Sequence, residues 1–156
     1  MGGMPNDGLD AVDRRIVARL SADARISNAA LAADVGVAPS TCLARVRGLR
    51  ERGILRGFHA DVDLAALGRP LQALVSVRLA THERDQIARF RRRIPTLPGV
   101  IAAYHVTGHT DYLLHVAMAD AEALRDFVLD ALLSQPQVAH AETSLIFEHL
   151  RGAPPV

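Results

Sequence analysis

"ISNAALAADVGVAPSTCLARVRGLRERG", residues 26–53, carries two short helical signals joined by a turn of a few residues that contains Gly36. The first offers Ser27 or Asn28 as a cap, sets Leu31 and Val35 four residues apart on one face, and stops at Gly36. The second opens on Pro39 and Ser40 and closes at Gly53. Proline is tolerated in a first helical turn because its missing N–H has no intrahelical partner there, and glycine suits the residue past the last turn. Two short helices around a glycine-bearing turn, the second rich in arginine, are the sequence form of a helix-turn-helix.

The second helix can be laid out at about 100° per residue. With Val46 inward, Cys42 and Leu49 fall beside it and Leu43 lies on the other flank. Ser40, Thr41, Ala44, Arg45, Arg47, Gly48, Glu51 and Arg52 take the remaining face. Ala44 and Gly48 are small where a backbone would approach a groove, hydroxyls sit at the N-terminal end, and guanidinium groups flank the small strip. Major-groove reading asks for donors near a helix N-terminus and charge beside them for phosphates. A solvated face with arginine stems would look similar in isolation; the preceding helix and tight turn favour DNA. The expected DNA contacts are Ser40, Thr41, Arg45, Arg47 and Arg52, with Arg56 just beyond the helix.

Upstream, "LDAVDRRIVARLSADA" (9–24) spaces Val12, Ile16, Val17 and Leu20 along one helical face, with Asp10 and Asp13 near its start. Downstream, "ILRGFHADVDL" (54–64) reads as a strand or short wing with Arg56 and His59 available to sugar-phosphate. Gly68 and Pro70 mark residues 64–71 as a linker. Past residue 71 the rhythm changes to strand, helix, strand, strand, helix, strand. That is the ferredoxin-like β-α-β-β-α-β unit, an antiparallel sheet with helices on one face only. Leu71, Leu74, Val75, Val77 and Leu79 leave little polar surface on its first strand, so a second copy is expected to cover the other face. The fold class is α+β: a winged helix-turn-helix domain at 1–63, a linker at 64–71, and a ferredoxin-like sensing and dimerisation domain at 72–156.

Composition removes several chemistries. All eighteen basic residues are arginine, so Schiff-base, pyridoxal and phosphate-loop lysine chemistry have no residue to use. Cys42 is the single cysteine, which leaves no internal disulfide and no cysteine-based zinc site. No apolar run approaches the roughly 20 residues of a membrane span, and the N-terminus lacks the order of a signal peptide; a cytoplasmic protein is expected. The near-neutral net charge of +1 hides a split: residues 1–60 hold nine arginines against six acids, and 61–156 hold nine against eleven. A phosphate-bearing partner is thus expected for the first part only.

"HVTGHTDYLLHV" (105–116) gathers His105, His109 and His115 with Asp111 in twelve positions. A metal site would need them to converge, and hairpin register decides whether His105 and His115 share a face. A five-residue loop puts them together; a four-residue loop separates them. No nucleophile accompanies them, so no catalytic residue, metal or cofactor is expected. The loop itself offers an exposed backbone N–H at Gly108 and acceptors at Thr110 and Asp111, a set fitted to an amino-acid zwitterion. Asp111 could equally just close the turn.

Together these stretches resemble the leucine-responsive regulatory protein/AsnC (Lrp/AsnC) family of bacterial and archaeal transcription regulators. The resemblance lies in D-R-x-I at Asp13–Ile16, R-I-S-N at Arg25–Asn28 and C-L-x-R-V-x-x-L at Cys42–Leu49. It continues in the glycine-then-Asp-Tyr hairpin, and in "LLSQPQVAHAETSLIF" (132–147), with Gln137 where the family usually has glycine. It implies a regulator that binds double-stranded DNA, dimerises through its C-terminal sheet and assembles into tetramers or octamers. It implies a small effector, commonly an amino acid, bound at Thr107, Gly108, His109, Thr110, Asp111 and Tyr112, with His109 and Thr110 setting which effector fits. Readings from other classes are a histidine-based metal-binding protein and an amino-acid-sensing module that binds protein.

Overall fold

The computed structural model describes residues 8–80, 83–150 and 152. The chain divides between Asp61 and Val62 into two compact units. The first is helical: α1 (Ala11–Ala22), α2 (Asn28–Val35) and α3 (Pro39–Glu51). Each start follows from a local residue. Asp10 caps α1 by accepting from Asp13 N–H at 2.8 Å, and Ser27 caps α2 by accepting from Ala30 N–H at 3.2 Å. Gly36 ends α2 with φ 76°, a left-handed turn that lets the N–H groups of Gly36 and Val37 both return to Ala32 O. After that three-residue break α3 leaves at 97° to α2, the crossing a helix-turn-helix requires.

Ile16, Val17, Leu20, Leu31, Ala32, Val35, Cys42 and Leu49 make the core of this unit. Its outer seams are polar. Arg15 donates to the Asp34 and Val35 carbonyls at the end of α2, Arg19 pairs with Asp34 at 2.7 Å, and Asn28 donates to Pro39 O at 2.8 Å. The Arg15 bonds satisfy carbonyls at the end of α2, and the set ties the three helices together.

The expected wing is not there. Residues 54–64 contain no strand, and Phe58 and Val62 along them are 45% and 50% exposed. A strand needs a neighbouring strand to pair with, and among the described residues of this unit every regular element is a helix. Residues 63–69 instead form an ordered turn, in which Asp63 accepts from Ala65 and Ala66 N–H and Gly68 closes with φ 76°.

The second unit holds β1 (Leu71–Leu79), α4 (Arg84–Arg93), a 3-10 turn (Ile94–Thr96), β2 (Val100–His105), β3 (Tyr112–Met118), α5 (Ala121–Asp126) continuing into π-helical turns (Phe127–Leu133), and β4 (Val138–Leu145). The sheet is fully antiparallel in the order β2-β3-β1-β4. Alternation decides its faces. Ala73, Val75, Val77 and Leu79 with Leu114 and Val116 point into one core with Phe90, Ile94, Leu124, Phe127 and Leu132. Gln72, Leu74 and Ser76 with Leu113, His115 and Tyr104 lie on the other face, half-buried or exposed. Among the described residues no single helix is long and apolar enough to cross a membrane.

Candidate functional site

The side of α3 turned away from the core is the first candidate surface. Cys42 and Leu49 are fully buried, which sets the inward direction about 50° from Val46, towards Arg45. Ser40, Ala44, Arg47 and Glu51 then point outward, with Thr41, Leu43 and Gly48 on the flanks. Leu43, expected near the core, is 50% exposed. The same rotation brings Arg45 to the seam with α1. Its Nη1 lies 2.7 Å from Asp10 and 2.8 Å from Asp13, and Arg52 reaches the other Asp13 oxygen at 3.8 Å. Asp13 is the one buried charged residue among those described, at 7% exposure. It sits in the apolar stripe of α1, where a carboxylate must be paired to be tolerated.

The expected DNA-contacting arginines therefore separate. Arg45 is corrected from an outward donor to a clamp between α3 and α1, and Arg52 leans on the same acid. Arg47 and Arg56 are exposed and, like Arg50, form no ion pair among the described residues. They line an open groove of about 690 Å³ with Leu43, Val46, Glu51 and Leu55. Ser40 and Thr41 stand at an N-terminus that no side chain caps, so its first N–H groups are open to an anion.

The clamp has an acid signature. The Asp13 N–H bond and then Arg45 hold the Asp10 carboxyl below its ordinary value of 3.8, while Asp13 and then Asp10 push the Arg45 guanidinium up. A depressed carboxyl stabilises the fold above its unfolded value and loses that contribution as pH falls through the folded one. Asp10→Asn keeps a capping oxygen but no charge. Its melting temperature is expected below that of the parent at pH 7, with the gap narrowing as pH falls below the ordinary carboxyl value of 3.8. Melting curves across that range check it; a gap that persists at low pH would show that the charge pairing is not its source.

The second candidate is the β2–β3 hairpin. His105 pairs with Tyr112, leaving a six-residue loop, 106–111. Thr107, Gly108 and His109 are exposed and Thr110 and Asp111 half-buried. Gly108 has φ 117°, a conformation that favours glycine, and open space where a Cβ would stand. Asp111 is built into the fold. Its N–H donates to Val77 O at 2.9 Å, its carbonyl accepts from Val106 at 3.0 Å, and Oδ2 accepts from Leu79 N–H at 2.7 Å. One carboxylate oxygen thus continues the end of β1, and the other has no bond among the described residues. Tyr112, at the end of the loop, packs inward. It is 3% exposed, edge-on to Phe90 and stacked under His105 at 4.8 Å, with its hydroxyl buried and without a hydrogen-bond partner among the described residues. Burial first, and then Asp111, push its phenol pKa up against the pull of Arg91.

The register also resolves the histidines. His115 pairs with Ala102 while His105 pairs with Tyr112, which puts the two imidazoles on opposite faces of the sheet. His105 lies on the helix side; His115 bonds Gln72 Oε1 at 2.9 Å on the open side, where burial and then His149 lower its pKa. They cannot share an ion, and among the described residues no three His, Cys, Asp or Glu side chains gather around a metal-sized space.

Sequence reading passed over α4, where Arg84, Arg89, Arg91, Arg92 and Arg93 stand in ten residues beside a single acid, Asp85. Splitting the charge by halves averaged this patch against the acids of α5.

Residues 9–50 match the AsnC-type helix-turn-helix domain and residues 72–156 the Lrp/AsnC ligand binding domain. The chain is 51% identical over 158 residues to the HTH-type transcriptional regulator AldR of Mycolicibacterium smegmatis, an alignment spanning 99% of this chain and 92% of that one. It is 50% identical over 148 residues to AldR of Mycobacterium tuberculosis, across 95% and 83% of the two chains. Among solved structures, MtbAldR superposes with a TM-score of 0.73 at 46% identity, covering 94% of this chain and all of that one. A transcriptional regulator from Neisseria meningitidis in complex with L-Met gives 0.87 at 31%, covering 95% and 96%. These relatives are regulators of transcription rather than enzymes.

Proposed function

The chain belongs to the Lrp/AsnC family of transcription regulators, and on that premise we propose that it reads operator DNA through α3 and is tuned by an amino acid at the 106–111 hairpin. The observation that carries the first half is the outward face of α3. It sets Ser40 and Thr41 at an uncapped N-terminus, small Ala44 along the face and the unpaired Arg47 beside it. Such a helix can enter the major groove with its first turn at a phosphate and Arg47 at a base edge or backbone. Residues 1–63 serve as the DNA-binding domain, 64–71 as the linker and 72–156 as the sensing and oligomerisation domain.

The second half is supported by the Gly108 N–H, the Asp111 oxygen not used by Leu79, and the L-Met complex of the Neisseria relative. The open sheet face, with Leu74, Leu113 and the 53%-exposed Tyr104, is the surface on which two copies pair; tetramers or octamers build from that dimer.

Selection of bound sequences from a pool of random duplexes tests the reading. The expected result is an enriched two-fold-symmetric motif with half-site centres about one helical turn, 10–10.5 base pairs, or a multiple of it apart. A pool that emerges from selection without any enriched motif would overturn the assignment of α3 as a recognition helix.

A further inference from the structure

Several arginines elsewhere in this chain find carboxylates: Arg19 meets Asp34, Arg45 meets Asp10 and Asp13, and Arg125 meets Glu122 and Asp126. On α4 they do not. Arg84, Arg89, Arg91 and Arg92 are exposed and form no ion pair among the described residues, and Arg93 bonds only the neutral Gln135 at 3.0 Å. Phe90 and Ile94 are buried and Ile87 half-buried, which fixes the inward side. At about 100° per residue, Arg92 and Arg89 lie nearest the middle of the outer side together with the one acid, Asp85; Ala88, Arg84 and Arg91 lie towards one flank and Arg93 on the other. Arg84 to Arg92 covers roughly 12 Å of helix, the axial rise of three to four base pairs of DNA.

The arrangement is costly to the fold. Arg89 and Arg93 are like charges four residues apart, which oppose helix formation. The helix dipole welcomes the arginines of the last turn, but Arg84 stands in the first turn, where a cation is unfavourable. All this occurs in a unit whose residues 62–150 carry eight arginines against ten acids, so it is no general basicity of the domain. A concentrated positive face that helix stability explains only in part fits an external polyanion.

We infer that the outer face of α4 is a second DNA-contacting surface, one that holds phosphates without reading sequence. Guanidinium forks suit phosphate oxygens, and the family to which the chain belongs already brings duplex DNA to it. A second copy is the weaker candidate for occupant. The acidic segment of the same unit (Asp120, Glu122, Asp126, Asp130) spends Asp120 on capping α5, and Glu122 and Asp126 on Arg125.

The inference rests on DNA binding by this protein, and the test separates it from the assignment of α3. The full chain, its R84Q/R89Q/R92Q variant and its R47A variant are titrated with random-sequence duplexes of increasing length over a salt series. Arg91 and Arg93 are left alone because they touch the Tyr112 cleft and Gln135. The triple variant is expected to keep its melting temperature and oligomeric state. Its slope of log K against log salt should flatten by about 0.9 for each phosphate given up, two to three per copy, with affinity falling at least tenfold. The loss should grow with duplex length. An unchanged slope overturns the surface, whether oligomerisation is undisturbed or is weakened, the latter meaning that α4 holds a second copy instead. If the triple variant loses slope while R47A does not, α3 has been misassigned and α4 stands. If the parent chain binds no duplex, both fail.

Discussion

Arg47→Ala is expected to weaken binding of the selected operator by at least tenfold while leaving the melting temperature where it was, and Arg45→Ala, two residues away, to lower the melting temperature by several degrees. The contrast follows from where each guanidinium goes. Arg47 is exposed with no ion pair among the described residues, so its removal costs the folded chain little. On DNA, a lost arginine contact to a base costs about 1–3 kcal/mol and relaxes selectivity at that position; a lost phosphate contact weakens all sequences and flattens the salt dependence by about 0.9. Arg45 holds Asp10 and Asp13 together on α1, and deleting it leaves the 7%-exposed Asp13 with Arg52 at 3.8 Å in its place. An acid stranded in an apolar stripe destabilises the helix packing that carries α3. Thermal melts and salt-dependent binding on both variants check the pair. Equal effects of the two on DNA, with no effect on melting, would return Arg45 to the DNA-reading face.

Why that distinction escaped the sequence is instructive. The apolar period of residues 9–24 and the punctuation at Ser27, Gly36, Pro39 and Gly53 carry enough local information to place three helices, because caps and stops act within a turn. The orientation of α3 about its own axis depends on contacts from α1, more than twenty residues earlier, and an error of about 50° moves Arg45 from the outside to a seam. A signal was nonetheless present. Asp13 shares a stripe with Ile16, Val17 and Leu20, and an acid in an apolar stripe demands a cation from another element. In the second unit, alternation gave each strand its faces, but the hairpin register hung on loop length, which residue types alone left open. With it hung the fate of the histidines. The wing at 54–64 failed for the opposite reason: its local pattern is strand-like, and among the described residues of its unit no partner strand receives it.

The Asp111→Asn variant is expected to fold as the parent does and to lose its response to an amino acid. Asparagine offers a carbonyl oxygen where Oδ2 accepts from Leu79 N–H at 2.7 Å, and both backbone bonds of residue 111 to Val77 and Val106 survive. The end of β1 and the hairpin are therefore kept. What asparagine removes is the negative charge, the one feature of this residue that an α-ammonium group needs and a turn does not. A ligand present at about 100 times its dissociation constant stabilises the parent by about 2.7 kcal/mol, a shift readily measured in a thermal screen of the twenty amino acids. In Asp111→Asn that shift should shrink or vanish, with the unliganded melting temperature close to the parent's. Asp111→Ala cannot make this separation, because it strands the Leu79 N–H and lowers stability for that reason alone. If the asparagine variant keeps the full ligand shift, the carboxylate serves the fold only, and the ammonium group is held elsewhere on the domain.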